Sequence, residues 1–255
     1  MNVAPKAGSR RIRLTVAYDG APFAGWQSQA HGDSVQDAIE RVLARIAKEP
    51  IRLHGAGRTD SGVHALGQVA HFDAPEDSKM TATDWLRALN GNLPPSIRIL
   101  RSVKARADFH SRFSATGKIY RYDLWTAEVL PPHLAARAWH MPHPLDPVAL
   151  HDALQLFTGS HDFHGFTANR GTPAGDTVRQ IHSIRLKQSG ASLRITFEGE
   201  GFLYKMVRML TGAGVRVAQG RAEINTLRDL LENPGRGRWT NVAPADGLYL
   251  VRVRY

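Results

Sequence analysis

There is no cysteine among the 255 residues of this chain. That absence removes a disulfide scaffold, a thiol nucleophile, an iron–sulfur cluster and any thiolate zinc site together. Long apolar runs are missing too: nothing approaches the roughly 18 consecutive apolar residues that a membrane-spanning helix needs. The opening MNVAPKAGSRR is basic without an apolar stretch behind it, so no signal peptide is expected and the chain reads as cytoplasmic. Nucleotide-loop patterns fail as well. Gly199-Glu200-Gly201 has Tyr204 where a third glycine belongs, and Gly117-Lys118 lacks both the upstream glycine and the following Ser/Thr of a phosphate loop. No serine occupies a nucleophile elbow. His161 and His164 are near neighbours without a third ligand at helical or hairpin spacing, so no metal site is expected.

What is present is an ordinary globular composition, 42% hydrophobic and 22% charged, which argues against wholesale disorder. Thirty-three Lys+Arg face 23 Asp+Glu, a formal charge of +10 that favours a polyanionic partner, nucleic acid ahead of an acidic membrane. The excess is uneven: residues 1–100 carry 12 basic and 10 acidic side chains, residues 101–255 carry 21 and 13. Arginine outnumbers lysine 26 to 7, which suits bidentate phosphate contacts and stacking on bases. A GC-rich coding bias raises arginine as well, so charge points to a partner and to no chemistry.

Along the chain, residues 1–10 read as a disordered tail. Arg11–Tyr18 alternates like a half-buried strand. Ser34 with Asp37 forms a capping-box pattern ahead of a helix that Pro50 closes. Strands are expected at Ile51–His54 and Gln68–Phe72 with a loop, Gly55–Gly67, between them, then a helix over Thr83–Asn90 and a strand over Ile97–Lys104. The second half repeats the theme. Expected are strands at Thr116–Trp125, Thr177–Lys187, Ser192–Glu198 and Leu248–Val253. Helices are expected from Asp146-Pro147 to about Phe157, over Phe202–Ala218, and over Leu227–Leu231 capped by Asn225. Strands and helices without strict alternation indicate an α+β class with antiparallel or mixed sheets. Two halves of similar content, 11–105 and 106–255, suggest a duplicated architecture.

One stretch invites chemistry. Gly55-Ala56-Gly57-Arg58-Thr59-Asp60-Ser61-Gly62-Val63-His64-Ala65 is a polar, glycine-rich loop between strands, where a scaffold displays reactive groups and lets a large substrate approach. Taken alone, Asp60 caps a turn as readily as it reacts. The letters Asp-Ser-Gly also occur in aspartic proteases, but a carboxylate dyad needs two copies and this chain has one. Only a symmetric homodimer would supply the second.

The block Gly57–Ala65 resembles the signature of the TruA family of tRNA pseudouridine synthases. Its flanks agree: Tyr18-Asp19-Gly20, Gly25-Trp26-Gln27 and Val35-Gln36 resemble the family's opening motif, and Phe109–Ala115 with Tyr120-Arg121-Tyr122 its central block. Gly159–Phe163, Met206-Val207-Arg208 and Gly247-Leu248-Tyr249-Leu250 resemble its C-terminal blocks. The resemblance implies a pseudouridine-synthase fold of two similar α/β halves with a central basic cleft. It also implies isomerisation of uridine to pseudouridine at positions 38, 39 and 40 of the tRNA anticodon stem-loop, by a homodimer without cofactor. Asp60 is then the nucleophile, Arg208 its ion-pair partner, Tyr120 a stacking residue and proton acceptor, Leu248 an apolar wall, and Arg58 the group that fills the space left by a flipped base. Without the resemblance, Tyr120 and Leu248 read as core. The basic residues Arg101, Lys104, Arg106, Arg112, Lys118 and Arg121, against Asp108 alone, are expected to face RNA, with Arg112 and Arg121 as substrate contacts. Two neighbouring readings stay open, a pseudouridine synthase with another RNA target and a non-catalytic RNA-binding protein of the same fold.

Overall fold

Ile12, Leu14, Val16 and Tyr18 alternate with more polar neighbours and produce β1 (Arg10–Tyr18), burying those four side chains. The computed structural model describes residues 10–168 and 177–255. The tail expected over residues 1–10 lies outside them except for Arg10, which opens β1. The described residues form two compact units, one reaching to Thr116 and including Tyr249–Tyr255, the other spanning Gly117–Leu248.

In the first unit, α1 (Val35–Ala47) starts at Ser34, whose hydroxyl accepts the Asp37 N–H (3.1 Å) while its own N–H donates to the Asp37 carboxylate (3.2 Å). Its apolar stripe, Val35, Ala38, Ile39, Val42 and Leu43, is buried, and Lys48 ends it in the left-handed region. The expected strand at Ile51–His54 shrinks to β2 (His54–Gly55), because the Leu53 N–H donates to the Glu40 carboxylate (2.8 Å) instead of to a neighbouring strand. β3 (His64–Ala74) follows, then α2 (Ala82–Asn92), which has its own capping box from Thr81 and Asp84. Trp85 of α2 packs edge-on against Phe72 of β3 at 5.1 Å, both fully buried. Truncating such an aromatic costs about 3–5 kcal/mol. With β4 (Ile97–Lys104) and β10 (Leu248–Arg254) the strand order is β4-β1-β3-β10, and β2 also pairs with β3. β10 runs parallel to β3, Tyr249 opposite His64 and Leu250 opposite Ala65, whereas the other pairs of this unit are antiparallel.

The second unit is built on β5 (Gly117–Trp125), β7 (Gly159–Asp162), β8 (Val178–Ser189) and β9 (Ser192–Gly199) in the order β5-β9-β8-β7. These pairs are antiparallel, and a two-residue strand, β6 (Trp139–His140), lies parallel to β5. Asp146 caps α3 (Pro147–Gln155) by accepting the N–H groups of Val148 and Ala149. α4 (Met206–Ala218) begins four residues later than its apolar pattern, since Lys205 takes φ 58° and keeps Phe202–Lys205 out of the helix. α5 (Ile224–Glu232) starts earlier than expected. Its first turn closes on the Glu223 carbonyl, so Asn225 sits inside the helix and accepts from Arg228 (2.7 Å) rather than capping. No helix among the described residues is long and apolar enough to cross a membrane.

Candidate active site

The loop that carries Asp60 is shorter than the sequence pattern suggests. β2 takes Gly55 and β3 begins at His64, leaving Ala56–Val63. Thr59 anchors it: its buried hydroxyl shares a 2.8 Å hydrogen bond with the Tyr18 hydroxyl, and its carbonyl accepts the Trp26 N–H (3.1 Å). Burial pushes the Tyr18 phenol well above its ordinary pKa, so it stays protonated as a hydrogen-bonding group. One residue on, the Asp60 carbonyl accepts the Val63 N–H (3.2 Å), closing a turn that Gly62 completes at φ 80°. Gln68 of β3 donates to the Gly57 carbonyl (2.9 Å) from below. The outcome is a fixed backbone with Thr59 inward, Asp60 half-buried, and Arg58 and Ser61 exposed.

The opening motif explains itself against this loop. A Cβ on Gly25 would lie 2.6 Å from the Thr59 carbonyl, and Gly25 has φ 95°, so two independent constraints demand glycine there. A Cβ on Gly20 would overlap the Val63 carbonyl. His64 Nδ1 lies within reach of both the Gly20 N–H (3.1 Å) and the Asp19 carboxylate (3.2 Å), while its ring stacks on Tyr249 at 4.7 Å. None of these supports had a local signal, because each joins positions tens of residues apart.

Tyr120, Arg208 and Leu248 belong to the second unit. Tyr120 is buried on β5 opposite Phe197, with Phe202 edge-on at 5.2 Å. Arg208 stands in the first turn of α4, the positively polarised end of the helix, and no Asp or Glu belongs to that turn. Its Nε donates to the Ala243 carbonyl (2.7 Å), and the Ala243 N–H donates to the Arg208 carbonyl (3.1 Å). Beside it the Tyr122 hydroxyl donates to the Pro244 carbonyl (2.7 Å); burial raises the Tyr122 pKa against the opposing influence of the Arg208 charge. Gly247 permits the same segment to close on β5, since a Cβ there would sit 2.6 Å from the Asp123 carbonyl. Arg208 and Tyr122 therefore brace two successive carbonyls of the strap leading into buried Leu248.

The remaining residues divide. Arg121 points to the opposite face of β5 from Tyr120 and pairs with Asp123 (3.1 Å), which also takes Arg194 (3.0 Å). Arg101, Lys104 and Arg112 are exposed, whereas Arg106 is occupied by Asp108 (3.0 Å) and Lys118 is half-buried. Phe163 and Phe166 are fully buried and pack with Phe157.

The sequence that builds these elements is similar to known proteins. The family model described as tRNA pseudouridine synthase matches residues 14–114 and 153–255, which takes in the Asp60 loop, Arg208 and Leu248. A tRNA pseudouridine synthase A of Akkermansia muciniphila is 46% identical over 251 residues, covering 96% of this chain and 95% of the relative. One from Solidesulfovibrio magneticus is 45% identical over 259 residues, covering 96% and 91%, and one from Geobacillus kaustophilus 41% over 251, covering 97% and 95%. Matched nearly end to end, and with a fixed glycine-rich loop presenting Asp60 in one unit and a braced Arg208 in the other, the chain belongs to the tRNA pseudouridine synthase family.

Proposed function

We propose that this isomerase converts uridine to pseudouridine at positions 38, 39 and 40 of the tRNA anticodon stem-loop, with Asp60 as its nucleophile. The observation that carries the reading is the Asp60 turn, held by Tyr18 through the Thr59 hydroxyl and by Trp26, Val63 and Gln68 through the backbone, with Asp60 itself half-buried. Substrate and product are isomers. The N1–C1′ bond breaks, the uracil turns, C5 bonds to C1′, and the proton lost from C5 is balanced by one gained at N1, so no co-substrate is consumed. Asp60 acts as a carboxylate, and Arg208 is its ion-pair partner. Tyr120 stacks on the target base and accepts the C5 proton, and Leu248 walls the base with apolar surface. A stacked base must first leave its helix at a cost of about a few kcal/mol. Arg58, exposed two residues before Asp60, takes the vacated place through its planar guanidinium. Arg112 and Arg121 contact the RNA backbone, the latter with a charge already shared with Asp123. The enzyme works in the cytoplasm as a homodimer on tRNA.

The deciding experiment is Asp60→Asn. The variant should fold and bind tRNA much as the parent does while forming no pseudouridine, as read by mapping the modification on tRNA that lacks it. Pseudouridine at a comparable rate overturns the role of Asp60, and modification elsewhere in the tRNA by the parent enzyme overturns the target positions.

A further inference from the structure

The turn His110–Ser114 in the first unit displays an aromatic side chain where water would be expected to exclude one. Phe113 is 58% exposed, although the backbone beneath it is held from several sides. His110 Nδ1 accepts the N–H groups of both Arg112 (3.1 Å) and Phe113 (3.3 Å). The His110 N–H donates to the Ser114 hydroxyl (3.0 Å), and the Ser114 N–H returns to the His110 carbonyl (2.9 Å). Ser111 is the root of the turn. It is fully buried, its hydroxyl donates to the His54 carbonyl (2.6 Å), and its carbonyl accepts the Tyr255 hydroxyl (2.7 Å). A turn fixed this firmly presents Phe113 outward in a set geometry rather than letting it collapse onto the surface.

Its surroundings are those of a base-stacking platform. The Phe113 ring rests on the His110 imidazole with centroids 4.4 Å apart and planes 32° apart, and the Arg112 guanidinium lies 5.7 Å from the ring centroid. More than half of the residue's surface stays open. Asp108 is the sole carboxylate between Arg101 and Arg121, and Arg106 engages it (3.0 Å). A largely exposed aromatic ring with a planar cation over it, and no competing negative charge in its own segment, suits a nucleobase: every base has a face to stack, and its phosphate is drawn to the arginine.

We infer that Phe113, backed by His110 and flanked by Arg112, is a binding residue that stacks on an unpaired base of the tRNA substrate. The inference rests on tRNA as substrate and is independent of positions 38, 39 and 40. Preorganisation makes the contact effective, because the turn has already lost the freedom that binding would otherwise remove.

The test measures tRNA affinity, steady-state kinetics and modified position for Phe113→Ala, Phe113→Leu and Phe113→Trp. Losing one stacked base weakens binding about tenfold. Alanine and leucine should both show that loss, chiefly in KM, and tryptophan should restore affinity. Stacking is not ionic, so log affinity against log salt should shift in parallel for Phe113→Ala, whereas Arg112→Ala should reduce its slope by about one. The inference is overturned if alanine binds as the parent does, if leucine is as good as phenylalanine, or if the loss accompanies dissociation of a dimer in sedimentation, which would make Phe113 a contact between copies. Each variant should modify the same uridines as the parent; a parent that modifies other positions overturns the target assignment and leaves the Phe113 comparison standing.

Discussion

The Asp60 carboxylate is positioned by its uncharged neighbour. Thr59 is buried, and its hydroxyl finds the Tyr18 hydroxyl on a strand 41 residues earlier. A buried hydroxyl that loses its partner costs about 1–3 kcal/mol, so this pair sets the loop's height as well as adding to stability. Arg58, on the other side, is exposed, which suits its proposed place in the gap left by a flipped base. Arg58→Ala should therefore lower turnover more than it lowers non-specific RNA binding. Filter binding on an unrelated RNA beside single-turnover rates on tRNA makes the comparison, and equal losses in both would reduce Arg58 to a phosphate contact.

At the scale of elements, the pairing of β2 with β3 puts His54 opposite His71, with rings stacked at 5.0 Å. His110 meets His71 edge-on at 4.7 Å, and Arg11, itself held by Asp73 (2.8 Å), lies close enough to add its charge. Burial first and that cation second push His71 down from its ordinary 6.5 to about 3, and His54 and His110 are lowered chiefly by burial. The sign follows from proton counting. The unfolded chain accepts protons near pH 6.5 that the folded cluster refuses, so stability is complete above that pH and drains as pH falls toward the folded values. The urea midpoint should fall between pH 7 and pH 5, above the range where most carboxylates titrate. His71→Asn, which keeps an acceptor for the Ser111 N–H, should show a shallower fall; an equally steep one would locate the pH sensitivity elsewhere. Because Ser111 bonds to His71 and roots the Phe113 turn, acid should loosen RNA binding along with the fold.

For the whole molecule, the formal charge of +10 sets long-range attraction to tRNA and makes affinity fall steeply with salt. Charge does not determine assembly. The proposed homodimer predicts a sedimenting species of twice the 28.1 kDa chain mass at micromolar concentration, and a monomer there would refute it.

Much of the local structure was legible in the residues. Ser34 with Asp37 and Asp146 with Pro147 mark helix starts because capping joins groups within one turn, and the period-2 pattern of β1 needs only its own side chains. Asp60 was legible as a member of a glycine-rich loop; its proposed role as the nucleophile comes from the family resemblance. Other features depended on distant partners. β6 has two residues and no period to read. The Asp60 loop ends at Val63 because His64 and Ala65 pair with Tyr249 and Leu250, and a parallel register across nearly two hundred residues leaves no trace in either segment. Arg194 reaches Asp123 (3.0 Å) only because β9 pairs with β5, and nothing near either residue marks that ion pair. By itself the sequence determined the absence of thiol chemistry, the capped helices, the basic balance and the glycine-rich loop around Asp60, all properties of composition or of neighbours within a few residues. Only the tertiary structure decided that Tyr18 fixes Thr59, that Gly20 and Gly25 make room for the loop, that the last strand completes the first unit, and that Phe113 stands open on a rigid turn, because each depends on groups brought together across long stretches of chain.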